Sequence, residues 1–273
     1  MMNPGQVGRQ GGYWRRSSQA SADALFDRWQ TGANDTRKRV YNDLITSLKT
    51  DGIWPILDWF CILGGHASQP SLLNIKNPEK SLVIQGAPTF TADRGFTGDG
   101  AAAWLDFGEA FGKAGNQFSL DSHSFGCYVN QQSGTAGLMH SFGTASAGSI
   151  TLPGHSAGNE TFRACDAGAD VNRVGAGRTG HRYASRTAAG VKRGFYNGVR
   201  TFDGTTASTA LPGANGAVLR SVTNWSNDRV AACWSGGGMT DTQANALHTA
   251  LLTALTAIGA RSEEHTSELQ SQR

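Results

Sequence analysis

The chain has 273 residues, a formal net charge of +3, 36 glycines and 4 cysteines. This length can bury a sizeable core, and the glycine content favours short strands and turns over a helical bundle. The small net charge does not indicate a class of partner. The cysteines are widely separated and form no C-x-x-C pair, which argues against zinc or redox chemistry and predicts buried free thiols.

The first third of the chain is predicted to be largely helical. Residues 1–20 are rich in Gly, Arg and Ser, contain no apolar core of a signal peptide, and are predicted to be flexible. Residues 21–66 are predicted to form a helical arm, whose second helix begins at Asn34 or Asp35 and ends before Gly52. The apolar run 52–65 is too short to span a bilayer, so no membrane association is expected.

From about Leu82 the pattern changes to short apolar or alternating runs, separated by Gly, Asn, Asp and Pro. This pattern is typical of an all-β sandwich or barrel. The clearest hairpin is FYNGVRTF, in which Asn197 and Gly198 fit a type I′ turn between two strands.

The β region is followed by one more helix in the segment MTDTQANALHTALLTALTAIG. Thr240 and Gln243 match a capping box at its start, and Gly259 is placed to end it. Its apolar stripe consists of Leu247, Leu251, Leu255 and Ile258. Residues 67–260 are therefore predicted to form a β-sandwich with a terminal helix.

The final segment, 261–273, contains the sequence RSEEHTSELQS. This sequence is the in-frame translation of a common short-read sequencing adapter. We therefore treat residues 261–273 as an artefactual tail and exclude them from the functional interpretation.

The sequence GHSAG, residues 154–158, matches the G-x-S-x-G nucleophile elbow of serine esterases. An elbow requires a strand before the serine and a helix after it. The residues after Ser156, NETFRACDAGADVN, show no helical pattern, so we expect Ser156 not to be catalytic. GAGRTG, residues 175–180, matches the dinucleotide fingerprint, but a strand pattern follows it where a helix is required.

No metal or other cofactor is expected. His123 and His140 could share a metal if their strands paired, but no third ligand is indicated. Asp93 and Asp99 lie in a loop that lacks the dense spacing of oxygen ligands in calcium sites. The paired carboxylates of a glucanase strand, E-x-D-x-E, do not occur in the sequence.

One charge pattern points to a binding role. Segment 171–202 contains seven Lys and Arg residues and no acidic residue, with tyrosines between them. On one sheet face these side chains would form a basic, partly aromatic surface for a polyanion, such as an acidic surface glycan, a nucleic acid or an acidic protein. The alternative is that alternate residues simply face solvent. The residues predicted to bind are Arg178, Arg182, Tyr183, Arg186, Arg193 and Tyr196.

The order of these features resembles a family of structural proteins of tailed phages and prophages. The residues that carry the resemblance are TRKRVYNDLITSLKTDGIWPILD, LLNIKNPEKSLVIQGAPTFTADRGFTGDGAAAWLDFG, FYNGV and DRVAACWSGGGMTDTQANALHTALLTALTAIGA, over roughly residues 24–260. The resemblance implies a mainly β, concanavalin A-like (laminin G-like) jelly roll with an N-terminal helical arm and a C-terminal helix. Relatives of this fold include lectins and glucanases.

The resemblance also implies a function. It predicts a non-enzymatic virion protein of the tail or an appendage, assembled in the host cytoplasm, which contacts a surface glycan or a partner protein. The expected partners are other virion proteins, further copies of the chain in a homo-oligomer, and an acidic surface glycan. The alternatives are a virion-associated polysaccharide depolymerase or esterase, and a bacterial carbohydrate-binding module.

Overall fold

A computed structural model of the chain describes residues 18–132, 139–141, 149–156, 159–166, 170–173, 179–220 and 224–260. Within these residues there are four α-helices: α1 (18–26), α2 (Asp35–Thr50), α3 (Ser68–Leu72) and α4 (Asp241–Ala257). A short 3-10 helix, Trp54–Ile56, follows α2.

The described strands number fifteen. They are β1 (Leu57–Cys61), β2 (Val83–Gln85), β3 (Thr89–Thr91), β4 (Gly95–Thr97), β5 (Trp104–Asp106), β6 (His123–Gln131), β7 (Met139–Ser141), β8 (Ser149–Ser156), β9 (Asn159–Asp166), β10 (Asp170–Arg173), β11 (Gly180–Ala188), β12 (Val191–Tyr196), β13 (Val199–Gly204), β14 (Ala217–Val218) and β15 (Arg229–Gly236).

The strands form two antiparallel sheets. The large sheet has the order β13-β12-β11-β6-β15-β4-β3, and β1 also pairs with β15. The small sheet has the order β10-β9-β8-β7-β14-β5-β2. Side chains from both sheets share one apolar cluster, so the sheets face each other as a β-sandwich. The predicted mainly β sandwich is confirmed.

The large sheet is covered on both faces. On β6, Phe125 and Cys127 enter the cluster between the sheets, whereas Tyr128 packs with the helices in a second cluster. Gly126 lies on the helix-covered face, where a Cβ atom would come within 2.5 Å of Tyr183 and 2.8 Å of Trp234. Glycine at this position therefore leaves the space that these two aromatic side chains occupy.

The helices begin and end as their sequences predict. The Asn34 side chain accepts a hydrogen bond from the Arg37 backbone N–H at the start of α2. Thr240 and Gln243 form the predicted capping box of α4. The predicted apolar stripe of α4 is buried against the large sheet and α2: Leu247, Leu251, Leu255 and Ile258.

Several other features agree with the sequence analysis. Asn197 and Gly198 have the positive φ angles of a type I′ turn, 49° and 83°, and join β12 to β13. All four cysteines are free and buried. Within the described residues, no helix is both long enough and apolar enough to cross a membrane.

Two expectations for the first 66 residues are corrected. Residues 18–20 were expected to be flexible, but they already belong to α1, and residues 1–17 lie outside the described residues. Residues 57–61 were assigned to the helical arm, but they form β1, which pairs with β15 within the large sheet. The division of the chain into arm and sandwich stays a prediction. The proposed artefactual tail, 261–273, lies outside the described residues.

Candidate functional site

The structure does not place the predicted basic segment on one exposed face. Successive side chains of β11 alternate between the two covered faces of the large sheet. Arg182 and Arg186 point to the face between the sheets and are fully buried. Tyr183 points to the helix-covered face, where its hydroxyl donates to the Ala244 carbonyl at 2.9 Å and its ring stacks on Phe195. These three residues cannot form a solvent-facing binding surface, and this prediction is wrong for them.

The expectation that these cations lack a counter-charge is also wrong. Asp166, at the end of β9 in the small sheet, accepts hydrogen bonds from Arg186 at 2.7 Å and Lys192 at 2.6 Å. All three side chains are fully buried. Arg186 also donates to the backbone carbonyls of Ala164 and Thr206. This cluster joins the two sheets and has a structural role.

The remaining residues of the segment have neighbours of their own. Arg193 pairs with Asp203 and with Asp241 of α4, and Arg200 pairs with the same two carboxylates. The Tyr196 hydroxyl donates to the Thr179 carbonyl at 2.9 Å. Arg178 lies outside the described residues.

The literal esterase motif does not adopt the geometry of an elbow. Ser156 is the last residue of β8 and pairs with Asn159 of β9, so a hairpin follows the serine where an elbow needs a helix. Between Ser156 and α4 the described residues contain no helix, as the sequence predicts.

The two histidines considered for a metal site lie in different sheets. His123 belongs to β6 of the large sheet and His140 to β7 of the small sheet, so their strands do not pair. The His123 ring is buried against Phe118, with centroids 4.6 Å apart. Within the described residues, no group of three or more His, Cys, Asp or Glu side chains could hold a metal ion.

A buried glutamate, Glu109, is held by three donors. Lys80 donates to it at 2.6 Å, the Trp59 indole at 2.8 Å and Lys113 at 3.1 Å. Burial alone would raise the pKa of Glu109, but these hydrogen bonds outweigh it, and the pKa lies below its usual value. An ionised carboxylate cannot itself donate a proton, so Glu109 is not suited to the role of a general acid.

The outer face of the small sheet carries a different group of side chains. On β5, Leu105 enters the cluster between the sheets, so Trp104 and Asp106 lie on the other side of the strand by alternation; the half-buried Trp104 also packs against residues of that cluster. Gln85 of the edge strand β2 lies directly opposite Trp104 and therefore shares its face. Trp104 and Gln85 are both half-buried.

Arg220 is brought to Trp104 by an unusual backbone conformation. Both Val218 and Leu219 are buried in the cluster between the sheets, and Leu219 has a φ angle of 67°. A left-handed conformation costs a residue with a Cβ about 1–2 kcal/mol. This conformation breaks the strand alternation and leaves Arg220 on the outer side, with its guanidinium carbon 4.5 Å from the centre of the Trp104 ring.

Trp225 completes this group. Arg220 and Trp225 are partners in an isolated antiparallel bridge, and the Arg220 guanidinium carbon lies 5.7 Å from the centre of the Trp225 ring. Trp225 is half-buried, and its indole nitrogen is buried without a hydrogen-bond acceptor in the described part of the chain. We name Trp104, Arg220 and Trp225 the indole–arginine site.

A rigid loop supports this site. The Asp99 carboxylate accepts the backbone N–H groups of Ala101, Ala102 and Ala103, each at 2.8 Å, and these bonds lower its pKa to about 2. Asp99 therefore acts as a turn residue. The loop ends at Trp104 and packs against the chain before β15, where a Cβ on Gly98 would come within 1.9 Å of the Ser226 carbonyl oxygen.

The sequence contained signals for the two strands of this site, but not for its assembly. The runs AAAWLDF and AVLRSVT were predicted as strands. That Trp104 lies beside Arg220 depends on the pairing of β5 with β14, across more than a hundred residues of chain. The φ angle of Leu219 has no signal in the sequence, since leucine rarely adopts it.

The chemistry of the site suits a polar ligand that also has an apolar face. Indole rings offer a flat apolar surface and an N–H donor. A guanidinium group offers five N–H donors in one plane. A sugar presents C–H groups on its ring face and hydroxyl groups at its edge, so both kinds of group have a counterpart here.

Comparisons with known proteins find solved structures of similar fold. No family model matches the sequence, and no curated protein matches it. Among solved structures, a Trypanosoma rangeli sialidase in complex with sialic acid is 11% identical, with a TM-score of 0.53 over 79% of this chain and 39% of that chain. A structure of botulinum neurotoxin type C, whose cell entry depends on two ganglioside molecules, is 8% identical, with a TM-score of 0.53 over 74% and 53%.

The binding domain of Paraclostridial Mosquitocidal Protein 1 is 7% identical, with a TM-score of 0.51 over 72% of this chain and 53% of that chain. This chain therefore spans less than two thirds of each of these three structures. At these identities the likeness shows the β-sandwich fold alone.

Proposed function

We propose that this chain is a carbohydrate-binding module, and that it binds glycan on the outer face of the small sheet through the indole–arginine site. The observation that carries the proposal is the presence of two half-buried indoles, Trp104 and Trp225, whose ring centres lie 4.5 Å and 5.7 Å from the carbon of one guanidinium group. Indoles fixed on a sheet lose little conformational entropy when a ligand packs on them.

Two further observations support a binding role. Trp104 lies on strand β5, directly after the loop held by Asp99, and Arg220 and Trp225 are joined by an antiparallel bridge, which keeps the site organised before a ligand arrives. The solved structures with a similar fold include a sialidase with bound sialic acid and a neurotoxin that depends on gangliosides. This second argument is an analogy between folds, since function resides in particular sites.

A location on a phage particle is a separate proposal, and it is supported by the sequence resemblance. In that setting the module would belong to the tail or an appendage, would assemble with other virion proteins and further copies of itself, and would bind glycan at the host surface. Tail or capsid genes on both sides of the coding sequence would support this location. A neighbourhood of secreted glycosidase genes would instead favour a bacterial module.

The binding proposal is tested by native electrophoresis in gels that contain neutral or acidic polysaccharides. We expect the protein to be retarded by at least one polysaccharide, and Trp104→Ala or Trp225→Ala to weaken binding about tenfold or more, since truncated aromatic anchors commonly cost about 2 kcal/mol.

Trp54→Ala is the matched control for these variants. Trp54 is also half-buried and also faces cations, with Lys76 at 5.0 Å and Lys49 at 5.2 Å, but it lies next to α2. This variant should bind like the wild type. Failure of every polysaccharide to retard the wild type would overturn the proposal, as would equal losses in all three variants.

A further inference from the structure

Arg220 differs from the arginines that form ion pairs in the described part of the chain. Arg28, Arg37, Arg186, Arg193 and Arg200 each pair with a carboxylate of this chain. Arg220 forms no ion pair and donates no hydrogen bond to any residue in the described part of the chain; its contacts there are with Trp104 and Trp225. Its five N–H donors therefore have no acceptor among the described residues.

The two carboxylates that flank Trp104 in sequence are held by backbone N–H groups of their own turns. Asp99 accepts three backbone N–H groups of its own loop. Asp106, on the same strand as Trp104, accepts the Gly108 N–H at 2.7 Å. Neither carboxylate forms an ion pair with Arg220, and its guanidinium group lies beside two indole rings without a counter-charge among the described residues.

The placement of the guanidinium group also determines which ligand group it can take. Its carbon atom lies over the Trp104 ring at 4.5 Å, so the ring covers one side of the guanidinium group. The N–H donors lie in the guanidinium plane, and two parallel donors match the two oxygens of a carboxylate. The Trp225 indole nitrogen is buried and has no acceptor among the described residues, so the donors that this site offers a ligand are those of Arg220.

We propose that the glycan bound at the indole–arginine site carries a carboxylate, as uronic and sialic acids do, and that Arg220 binds this carboxylate through two parallel N–H donors. This inference rests on the proposed carbohydrate-binding function. It assigns acidic-glycan recognition to Arg220, in place of the buried arginines of β11.

The test compares acidic polysaccharides with their methyl esters, which keep the sugar backbone and remove the charge. Polygalacturonate, alginate, hyaluronate and polysialate are each used in native gels beside the esterified form and beside neutral galactan and dextran. The wild type should bind at least one acidic form about tenfold or more tightly than its ester, because a charge-assisted bidentate pair is lost on esterification. Added salt should reduce this difference.

Arg220→Gln should bind the acidic form and its ester equally, at the level at which the wild type binds the ester. Arg220→Lys keeps the charge but not the paired donors, and should recover part of the preference. Arg28→Gln, which removes an exposed arginine paired with Glu79, should leave the preference unchanged. Circular dichroism and the melting temperature establish that each variant is folded.

The outcomes separate the two proposals. If the wild type binds acidic and esterified forms equally, or binds neutral polysaccharides alone, or if Arg220→Gln keeps the preference, the carboxylate inference is overturned while carbohydrate binding stands. If the wild type binds none of these polysaccharides, both proposals fail.

Discussion

The buried charge cluster of β11 and the indole–arginine site each contain an arginine, but the two arginines lie in opposite environments. Arg186 lies between the sheets, fully buried, and its donors are taken up by Asp166 and by backbone carbonyls. Arg220 lies on the outer face of the small sheet, against two indoles and with no carboxylate partner in the described residues. The density of cations in the sequence pointed to the first region, whereas the proposed binding site is the second.

The largest expected effect comes from breaking the buried cluster. Asp166→Asn leaves Arg186 and Lys192 buried beside a neutral amide, and loss of one partner of a buried ion pair typically costs about 3–5 kcal/mol. The free energy of unfolding from urea titrations should fall by this amount.

Asp203→Asn is the matched control at the surface. Asp203 is 65% exposed and pairs with Arg193 and Arg200, so its loss should change the free energy of unfolding by about 0–1 kcal/mol. Similar effects of the two substitutions would mean that the cluster between the sheets is not buried as described.

A smaller decrease in the free energy of unfolding is expected at acidic pH. The Trp234 indole donates to His181 Nε2 at 3.0 Å, so the proton of the neutral His181 ring lies on Nδ1, which faces Nδ1 of His248 at 3.3 Å. Burial, with a further contribution from His248, holds the pKa of His181 well below its usual value. Burial likewise lowers the pKa of His123 to about 4.

The sign of the pH dependence follows from these pKa values. Below about pH 6.5 the unfolded chain takes up protons on His181 and His123 that the folded chain does not bind, so the stability that is complete above this pH is lost as the pH falls towards 4. Urea unfolding at pH 7.5 and pH 5.0 should show the decrease, and His181→Gln should reduce it. Glycan binding by the folded protein should not change over this range, since Arg220 stays charged. An equal slope in the variant would contradict the role of His181.

The smallest expected effect is at Ser156. Because a hairpin follows this residue, a fluorophosphonate probe should not label it, and Ser156→Ala should leave glycan binding unchanged. Stoichiometric labelling that disappears in Ser156→Ala would show an enzyme and would contradict a purely binding role.

The sequence predicted many elements of the fold, but it assigned strand β1 to the helical arm. The alternation and turns from Leu82 onward, the hairpin at Asn197–Gly198 and the stripe of α4 are local patterns, and each was confirmed. Strand β1 is covered by helices on one face and by the small sheet on the other, so four of its five residues are buried and it shows no alternation. An apolar run of this kind is not distinguishable from a buried helix by its period.

The functional assignment failed for a physical reason. The alternating side chains of RYASR, 182–186, fit an exposed face as well as a strand that is covered on both sides. The choice depends on Asp166, which lies in the other sheet and neutralises Arg186 and Lys192. The site at Trp104 likewise depends on strand order, which no local pattern contains. Whether Arg186 and Lys192 are buried or exposed therefore depends on a counter-charge from another element, and the segment 182–192 alone does not contain that information.

The most direct test of the central claim observes the indole N–H groups themselves. In a ¹⁵N–¹H correlation spectrum of the folded protein, addition of the polysaccharide fragment that retards it best should shift the indole signals of Trp104 and Trp225, assigned by Trp→Phe substitution. The signals of Trp54, next to α2, and of the buried Trp59 and Trp234 should stay in place. Saturable shifts confined to Trp54, Trp59 or Trp234, with Trp104 and Trp225 unaffected, would place the glycan elsewhere and contradict the account.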